Sequence, residues 1–396
     1  MVNEKMRDLG ARRSVIRELF EYGKKRKAEI GAENVFDFSI GNPSVPSPDV
    51  VNETLTSLLT EKDPVALHGY TSAQGDAGVR RAIADYIEKT HGAKADPDLI
   101  YLTVGAAASL TVSLTAILEA GDEVILLAPF FPEYRVFVER TGAVAVPVLC
   151  DTKSFQPDFE ALGAAITEKT RAIIVNSPNN PTGAVLTRES IESLASLLAE
   201  RSKTYGNPIY LIADEPYREL VYGDVEVPYL PSFYPNTLVC YSFSKSVSLP
   251  GERIGYILVS PTADESVALY QAVCGAGRAL GFVCAPALFQ YMIPAVLGCT
   301  SDMTVYDTNR RLLYEALTSY GYEVVKPDGA FYLFVKALEP DANAFCEAAK
   351  REELLLVASD SFGCPGYVRI SYCVTTEQIK RSLPAFLRLA KAYGKG

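Results

Sequence analysis

The sequence has few of the side chains that build metal sites or disulfide frameworks. His68 and His91 are its only histidines, and its eight cysteines are scattered without a C-x-x-C pair. Because metal and disulfide frameworks need clustered ligands or paired cysteines, we expect neither in this chain. The first 15 residues, MVNEKMRDLGARRSV, also lack the apolar run of an export signal. We therefore expect a reduced, cytoplasmic protein.

Long basic runs and uninterrupted apolar runs are also missing. The formal net charge is -10, and the longest basic run is KKRK at 24–27, so we do not expect a nucleic-acid partner. The stretch 279–301 carries no charge, but two prolines, a glutamine and a glycine interrupt it. We expect this stretch to form buried core or a subunit interface, and not a membrane span. Small molecules are the expected partners.

Short β-rich runs alternate with longer helical patterns through most of the chain. The apolar runs with strand character are 99–105, 123–129, 143–149, 171–178, 209–216, 237–244 and 253–260. Runs that are apolar nearly throughout are typical of a mainly parallel sheet covered on both faces. The sequence therefore predicts an α/β protein in which this sheet lies in a three-layer α/β/α large domain.

The length of 396 residues exceeds what one core usually supports, so a second domain is expected. After about residue 285 the pattern changes to helices with scattered strands such as 329–335 and 366–372. We predict a large domain over 46–284 and a smaller α/β domain built from both chain ends, 1–45 and 285–396.

Polar segments follow several of the predicted strands. These segments read GAAASL at 105–110, NSPNNPTG at 176–183, ADEP at 213–216 and SFSK at 242–245. Ligands of such sheets gather at the carboxyl ends of the strands. We therefore expect Asn180, Asp214, Lys245 and a helix N-terminus to face one crevice.

The stretch YSFSKSVSLPGERIGY, 241–256, places Lys245 among small hydroxyl residues at the end of a predicted buried strand. Taken alone, such a lysine most often pairs with a carboxylate or reaches solvent. The alternative is a lysine that forms a Schiff base, with a pKa lowered by burial and by cationic neighbours.

Pyridoxal phosphate is the aldehyde cofactor that fits best, because it needs this lysine, a partner for its ring nitrogen and a phosphate site. Asp214 is the candidate partner of the ring nitrogen. The competing interpretation is that Asp214 caps a helix beginning near Pro216.

The phosphate site is predicted at the helix that opens at Gly105, Ala106 and Ala107, where free N–H groups favour an anion. Ser242 and Arg253 add a hydroxyl and a fixed cation near Lys245. A glycine at such a turn is common, so this feature alone is a weak indication.

These motifs together resemble the class I and II aminotransferases, which belong to the fold-type I pyridoxal-phosphate enzymes. SFSKSVSLPGERIGY matches the family pattern S-x-S-K-x(5)-G-x-R-x-G, NSPNNPTG matches N-P-x-N-P-T-G, and ADEPYREL contains the D-E-x-Y element. Ordered motifs with suitable gaps are far more specific than any single one. The resemblance covers nearly the whole chain.

The resemblance implies roles for further residues. Asn180 and Tyr217 would hydrogen-bond the phenolic oxygen of the cofactor, which lowers the pKa of the Schiff base. Arg369 would hold the α-carboxylate of the substrate by a two-pronged salt bridge, and Asn180 and Gly41 would complete that pocket. Dicarboxylate-specific relatives bring a second arginine from the other subunit; Arg278 lies near that stretch, but its surroundings do not match, so aspartate specificity is left open.

The resemblance also concerns the walls of the cofactor site. Phe131 falls where the family stacks an aromatic ring on the cofactor, although core packing is an alternative for it. Relatives often have a Ser or Thr in the phosphate turn, so here Ser242, Ser244 and Arg253 would contribute more of the phosphate binding. Tyr70 falls where a tyrosine of the neighbouring subunit reaches the phosphate, which implies a homodimer with shared active sites.

The sequence therefore predicts a pyridoxal 5'-phosphate-dependent aminotransferase with ping-pong kinetics, acting on an L-amino acid and a 2-oxo acid. Lys245, Asp214 and Tyr217 are its predicted catalytic residues, and Lys245 would carry the proton between Cα and C4′. One alternative is a β-lyase or ring-closing enzyme of the same fold. A second is the ligand-sensing module of a transcription regulator, which is disfavoured because only about forty residues precede the first motif.

Overall fold

The computed structural model describes residues 2–11 and 15–396. Its strands are β1 (Phe36–Asp37), β2 (Ile100–Thr103), β3 (Glu123–Ala128), β4 (Val144–Leu149), β5 (Thr170–Asn176), β6 (Tyr210–Asp214), β7 (Thr237–Ser242), β8 (Gly255–Val259), β9 (Tyr332–Lys336), β10 (Leu354–Leu355), β11 (Val357–Ala358) and β12 (Tyr367–Ser371). Its helices are α1 (Glu4–Ala11), α2 (Val15–Ile30), α3 (Asp49–Glu61), α4 (Pro64–His68), α5 (Ala77–His91), α6 (Ala106–Ile117), α7 (Glu133–Glu139), α8 (Phe159–Ala165), α9 (Arg188–Tyr205), α10 (Phe243–Ser246), α11 (Ser266–Leu280), α12 (Ala287–Val296), α13 (Met303–Ser319), α14 (Ala342–Arg351) and α15 (Thr376–Ala392).

The large sheet has the strand order β2-β8-β7-β6-β5-β3-β4. Its parallel pairs are β3 with β4, β3 with β5, β5 with β6 and β6 with β7, whereas β8 runs antiparallel to β2 and β7. Every residue of β7 and β8 is buried, as expected for strands covered on both faces. The predicted α/β class with a mainly parallel sheet is confirmed.

Local sequence signals place the ends of the helices between the strands. The helix predicted near residue 190 is α9, where Oγ1 of Thr187 accepts a hydrogen bond of 3.1 Å from the backbone N–H of Ser190. Gly206 ends it with a φ of 70°, a left-handed conformation that glycine adopts without strain.

The parallel strands bring their carboxyl ends to one edge of the sheet. Asn176 at the end of β5 pairs in register with Asp214 at the end of β6, and Asp214 pairs with Cys240 of β7. Lys245 follows β7 directly, in the short helix α10. The chain connections at this edge therefore carry the polar segments that the sequence analysis identified.

A smaller group of strands involves both ends of the chain. β1 pairs with β10 in parallel, and β11, β12 and β9 form an antiparallel sheet. This pairing fits a domain built from both chain ends, but the predicted boundaries remain a prediction. α12, which follows the predicted boundary at 284/285, shares the apolar cluster of the large sheet through Met292, Ile293 and Val296.

The uncharged stretch 279–301 folds as the end of α11, a connection and α12. Within residues 2–11 and 15–396, the helices are too short or too polar to pass through a lipid bilayer. The eight cysteines are all free thiols.

Candidate active site

A cavity of about 620 Å³ lies at the carboxyl edge of the large sheet, where the small antiparallel sheet faces it. Most of the residues predicted from the sequence line this cavity: Gly41, Ala106, Ala107, Phe131, Asn180, Asp214, Tyr217, Ser242, Ser244, Lys245, Arg253 and Arg369. Gly105 borders it, because a Cβ on Gly105 would lie 2.8 Å from Nη2 of Arg253. The fold thus brings residues from distant parts of the sequence to one place.

Lys245 projects its amine into this cavity. Its Nζ donates a hydrogen bond of 2.6 Å to the carbonyl oxygen of Gly41 and lies 5.6 Å from the ring centroid of Phe331. Burial lowers the pKa of Lys245 from 10.5 to about 8, and the charges of Arg253 and Arg369 add to this decrease. A substantial fraction of the amine can therefore be neutral, and so nucleophilic, near neutral pH.

Asp214 is fully buried at the end of β6. Its Oδ2 accepts a hydrogen bond from the hydroxyl of Tyr134, whereas its Oδ1 has no hydrogen-bond partner among the described residues. Burial raises the pKa of Asp214 from 3.8 to about 7, and the hydrogen bond from Tyr134 opposes that rise. A buried carboxylate with one unpaired oxygen is costly unless a donor or a cation pairs with it.

The structure contradicts the interpretation of Asp214 as a helix cap. Residues 216–219 form turns, and the carboxylate of Asp214 accepts from the Tyr134 side chain instead of from the backbone N–H groups that follow it. The sequence DEPYREL resembles a helix cap because Asp and Pro are also common in turns.

One end of the cavity offers several donors for an anion. Helix α6 begins at Ala106, preceded by Gly105 with a φ of 94°, and its free N–H groups open toward the cavity. The hydroxyls of Ser242 and Ser244 lie 2.6 Å apart, and Nη1 of Arg253 is held by the carbonyl oxygen of Pro250 at 2.9 Å. This arrangement suits a phosphate dianion.

Arg369 is a buried cation on the opposite side, in β12. Its Nη1 donates to Oδ1 of Asn180 at 3.1 Å, and its Nη2 donates to the carbonyl oxygen of Ser39 at 2.6 Å. Its buried Nε has no partner in the part of the chain that the structure describes. A carboxylate is the natural partner for such a guanidinium, since it matches the planar arrangement of N–H groups.

The sequence analysis missed residues that hold these groups in place. Tyr134 donates to Asp214 and packs edge-on against Phe131, with ring centroids 5.7 Å apart. Asn176 donates to the carbonyl oxygen of Asp214 at 2.9 Å and accepts from the backbone N–H of Asn180 at 2.7 Å. Their positions inside APFFPEY and NSPNNPTG were the only available signals.

Tyr332 and the start of α2 were missed as well. The hydroxyl of Tyr332 lies 2.9 Å from that of Tyr217, although GAFYLFV looked like an ordinary core strand. Ile16 and Arg17 also line the cavity, and no motif marks them.

Two other candidates lie apart from the cavity of their own chain. The side chain of Tyr70 is 98% exposed. Arg278 is exposed on α11. Neither belongs to the residues that line this cavity in the described part of the chain.

Comparisons with known proteins agree with one another. A family model described as aminotransferase class I and II matches residues 33–386. An aspartate aminotransferase from Thermotoga maritima is 32% identical over 375 residues, which cover 93% of this chain and 95% of that protein. A solved structure of an amino transferase from Eubacterium rectale has a TM-score of 0.98 and 59% identity, covering 100% of both chains. An aspartate aminotransferase from Thermus thermophilus, solved with maleate, has a TM-score of 0.85 and 28% identity, covering 97% of this chain and 98% of that one.

Proposed function

This chain belongs to the class I and II aminotransferases, and we propose that it binds pyridoxal 5'-phosphate in the cavity around Lys245. The family uses this cofactor, and the chain is an aminotransferase. The proposed reaction moves an amino group between an L-amino acid and a 2-oxo acid by a ping-pong mechanism.

The observation that carries the cofactor proposal is the unpaired Oδ1 of buried Asp214. A protonated ring nitrogen would supply the missing hydrogen bond, and its positive charge would return the carboxylate to its ionised form. The residues present therefore fit the cofactor, because its ring nitrogen would pair with a buried carboxylate oxygen that has no other partner in the described chain.

The remaining cavity residues divide into three groups around this point. Gly105, Ala106, Ala107, Ser242, Ser244 and Arg253 would hold the phosphate. Asn180 and Tyr217 would bind the phenolic oxygen, and Phe131 would cover one ring face.

When bound, pyridoxal phosphate supplies an aldehyde carbon and an electron-accepting ring. Lys245 would hold the cofactor through its amine, and the same amine, when neutral, would be the base that moves the proton from Cα of the substrate. Arg369 and Asn180 orient the substrate by its α-carboxylate, so that the Cα hydrogen points toward Lys245. Asp214 would pair its negative charge with the ring nitrogen.

A screen of amino donors against 2-oxo acids, followed by the absorbance of the bound cofactor, tests this function. An amino acid alone should change the absorption spectrum, and a 2-oxo acid should restore it. Aspartate is the first donor to try, because the relatives from Thermotoga and Thermus are named for it. Elimination or ring closure without return of the amino group would instead support the alternative enzyme class.

We also propose a cytoplasmic homodimer in which Tyr70 completes the phosphate site of the partner subunit. The nearly complete exposure of Tyr70 in the single chain supports this role. Tyr70→Ala and Lys245→Ala proteins are to be unfolded together and refolded as a mixture. Hybrid dimers would contain one intact site, so activity should exceed that of either parent. No recovery, with hybrids verified by mass, would reject the shared site.

A further inference from the structure

Tyr332 and Tyr217 form a buried pair of phenols in the wall of the cavity. Their hydroxyl oxygens lie 2.9 Å apart, and their rings meet edge to face with centroids 5.8 Å apart. Both side chains are buried, and within the described chain neither hydroxyl has another hydrogen-bond partner that the structure shows. The two hydroxyls therefore depend on each other.

Two further contacts fix the position of Tyr332. Arg369, two residues along the paired strand from the position opposite Tyr332, places its Cζ 4.9 Å from the ring centroid of Tyr332. A Cβ on Gly41 would lie 2.9 Å from Cζ of Tyr332, so the ring packs directly on the backbone of Gly41. The carbonyl oxygen of Gly41 is also the acceptor of the Lys245 amine.

Counting protons assigns a direction to the phenol pair. Each tyrosine hydroxyl carries one proton and can also accept. If Tyr217 donates its single proton to the phenolic oxygen of the cofactor, then the hydrogen bond between the tyrosines must come from Tyr332. A hydroxyl that accepts one hydrogen bond becomes a stronger donor in the next, because the bonds polarise each other.

We propose that Tyr332 is a positioning residue, which donates to Tyr217 and thereby directs the proton of Tyr217 toward the phenolic oxygen of the cofactor. This inference rests on the proposed function, because it takes Tyr217 as a ligand of that oxygen. Burial raises the pKa of both phenols, and Arg369, which lies over the ring of Tyr332, opposes that rise, so it strengthens each as a donor in this direction.

The test uses the holoprotein and the pH-dependent absorption of its bound cofactor, without turnover. Tyr332→Phe keeps the ring over which Arg369 lies and removes only the hydroxyl. A donor to the phenolic oxygen lowers the pKa of the Schiff base, so weakening that donor should raise it. The midpoint of the absorbance change should therefore rise by about 0.5 to 1 pH unit in this variant. Tyr217→Phe should raise the midpoint further.

The double variant separates a role through Tyr217 from an independent one. If Tyr332 acts through Tyr217, the midpoint of Tyr217→Phe/Tyr332→Phe should equal that of Tyr217→Phe alone. Tyr372→Phe is the matched control, because it removes the hydroxyl of another buried tyrosine, which contacts Tyr222 at 3.2 Å outside the cavity. This control should leave the midpoint unchanged.

Four results would overturn the inference, and they differ in what else they affect. An unchanged midpoint in Tyr332→Phe, with a raised one in Tyr217→Phe, rejects the role of Tyr332 alone, as do additive shifts in the double variant. No shift in either single variant also removes Tyr217 from the cofactor site. No cofactor absorption in the wild-type protein contradicts the proposed function itself.

Discussion

The two sheets that border the cavity contribute side chains in different ways. The large, mainly parallel sheet contributes residues at or just beyond the carboxyl ends of its strands, such as Asp214 at the end of β6 and Lys245 after β7. The small antiparallel sheet contributes residues of the strands themselves, Tyr332 at the start of β9 and Arg369 in the middle of β12. In the proposed function, the residues that would act on the cofactor therefore lie at strand ends, whereas the arginine that would bind the substrate lies on a strand face.

This difference has a physical basis. Parallel strands place all their carboxyl ends at one edge, so short loops there can bring several polar groups together without disturbing the buried sheet. A residue within a strand, by contrast, is fixed by the alternation of faces and by its cross-strand neighbours. The ends of parallel strands therefore tolerate polar residues readily, whereas a position on a strand face holds a buried cation such as Arg369 rigidly.

The largest effect is expected from the strand-end group. Asp214→Asn preserves shape but removes the charge beside the ring nitrogen, so kcat should fall by about 1,000-fold while the free energy of unfolding changes little. Steady-state kinetics and urea denaturation measure the two quantities. Asp302→Asn is the control, because Asp302 is a true N-cap that accepts from Thr304 at 2.9 Å; it should keep full activity. Near-normal turnover of Asp214→Asn would show that Asp214 has no catalytic role.

A smaller effect is expected from the strand-face group. Arg369→Lys keeps the charge but loses the planar pair of donors, so kcat/KM should fall by about 100-fold. The absorption of the bound cofactor should be retained, because Arg369 is assigned to the substrate. The same exchange at exposed Arg388, which pairs with Glu352 at 2.7 Å, is the control and should be silent. Loss of cofactor binding in Arg369→Lys would contradict the assignment of substrate binding to the small sheet and of cofactor binding to the large one.

The third effect concerns stability and its dependence on pH. Because the pKa of Lys245 falls from 10.5 to about 8 on folding, the unfolded chain binds more protons than the folded one between about pH 8 and 10.5. The free energy of unfolding of the cofactor-free protein should therefore rise with pH in that window. At pH 7 the Lys245→Met variant avoids burying the charge, so it should be more stable than wild type by about 3 kcal/mol.

Urea denaturation of both cofactor-free proteins at pH 7 and near pH 10 measures this difference. The difference in the free energy of unfolding between the two proteins should become smaller as the pH rises, because the wild-type amine loses its charge. A difference that widens with pH would contradict the burial of a destabilised ammonium at the end of β7.

Most of the fold and the strand-end part of the site could be predicted from the sequence. All seven strands of the large sheet correspond to the predicted apolar runs, and the family expected from the motifs is confirmed. Loop motifs are legible because their residues need special turns and polar groups at fixed spacing.

Residues on strand and helix faces could not be identified in the same way. Tyr332 carries no local mark and Tyr134 only its place in APFFPEY, because an aromatic residue in a buried element usually packs in the core. Tyr332 acts through Tyr217, which lies 115 residues away in the sequence. Tyr134 acts through Asp214, which lies 80 residues away. The start of α2, with Ile16 and Arg17, reaches the cavity only through the folding of the chain.

The central claim is that Lys245 anchors pyridoxal phosphate. The protein, loaded with the cofactor and reduced with borohydride, can be digested and its labelled peptide sequenced by mass spectrometry. We expect a pyridoxyl group on Lys245, in the peptide containing SFSK, and no label after prior treatment with an amino donor. A label on another lysine, or none on a protein that still transfers amino groups, would contradict it.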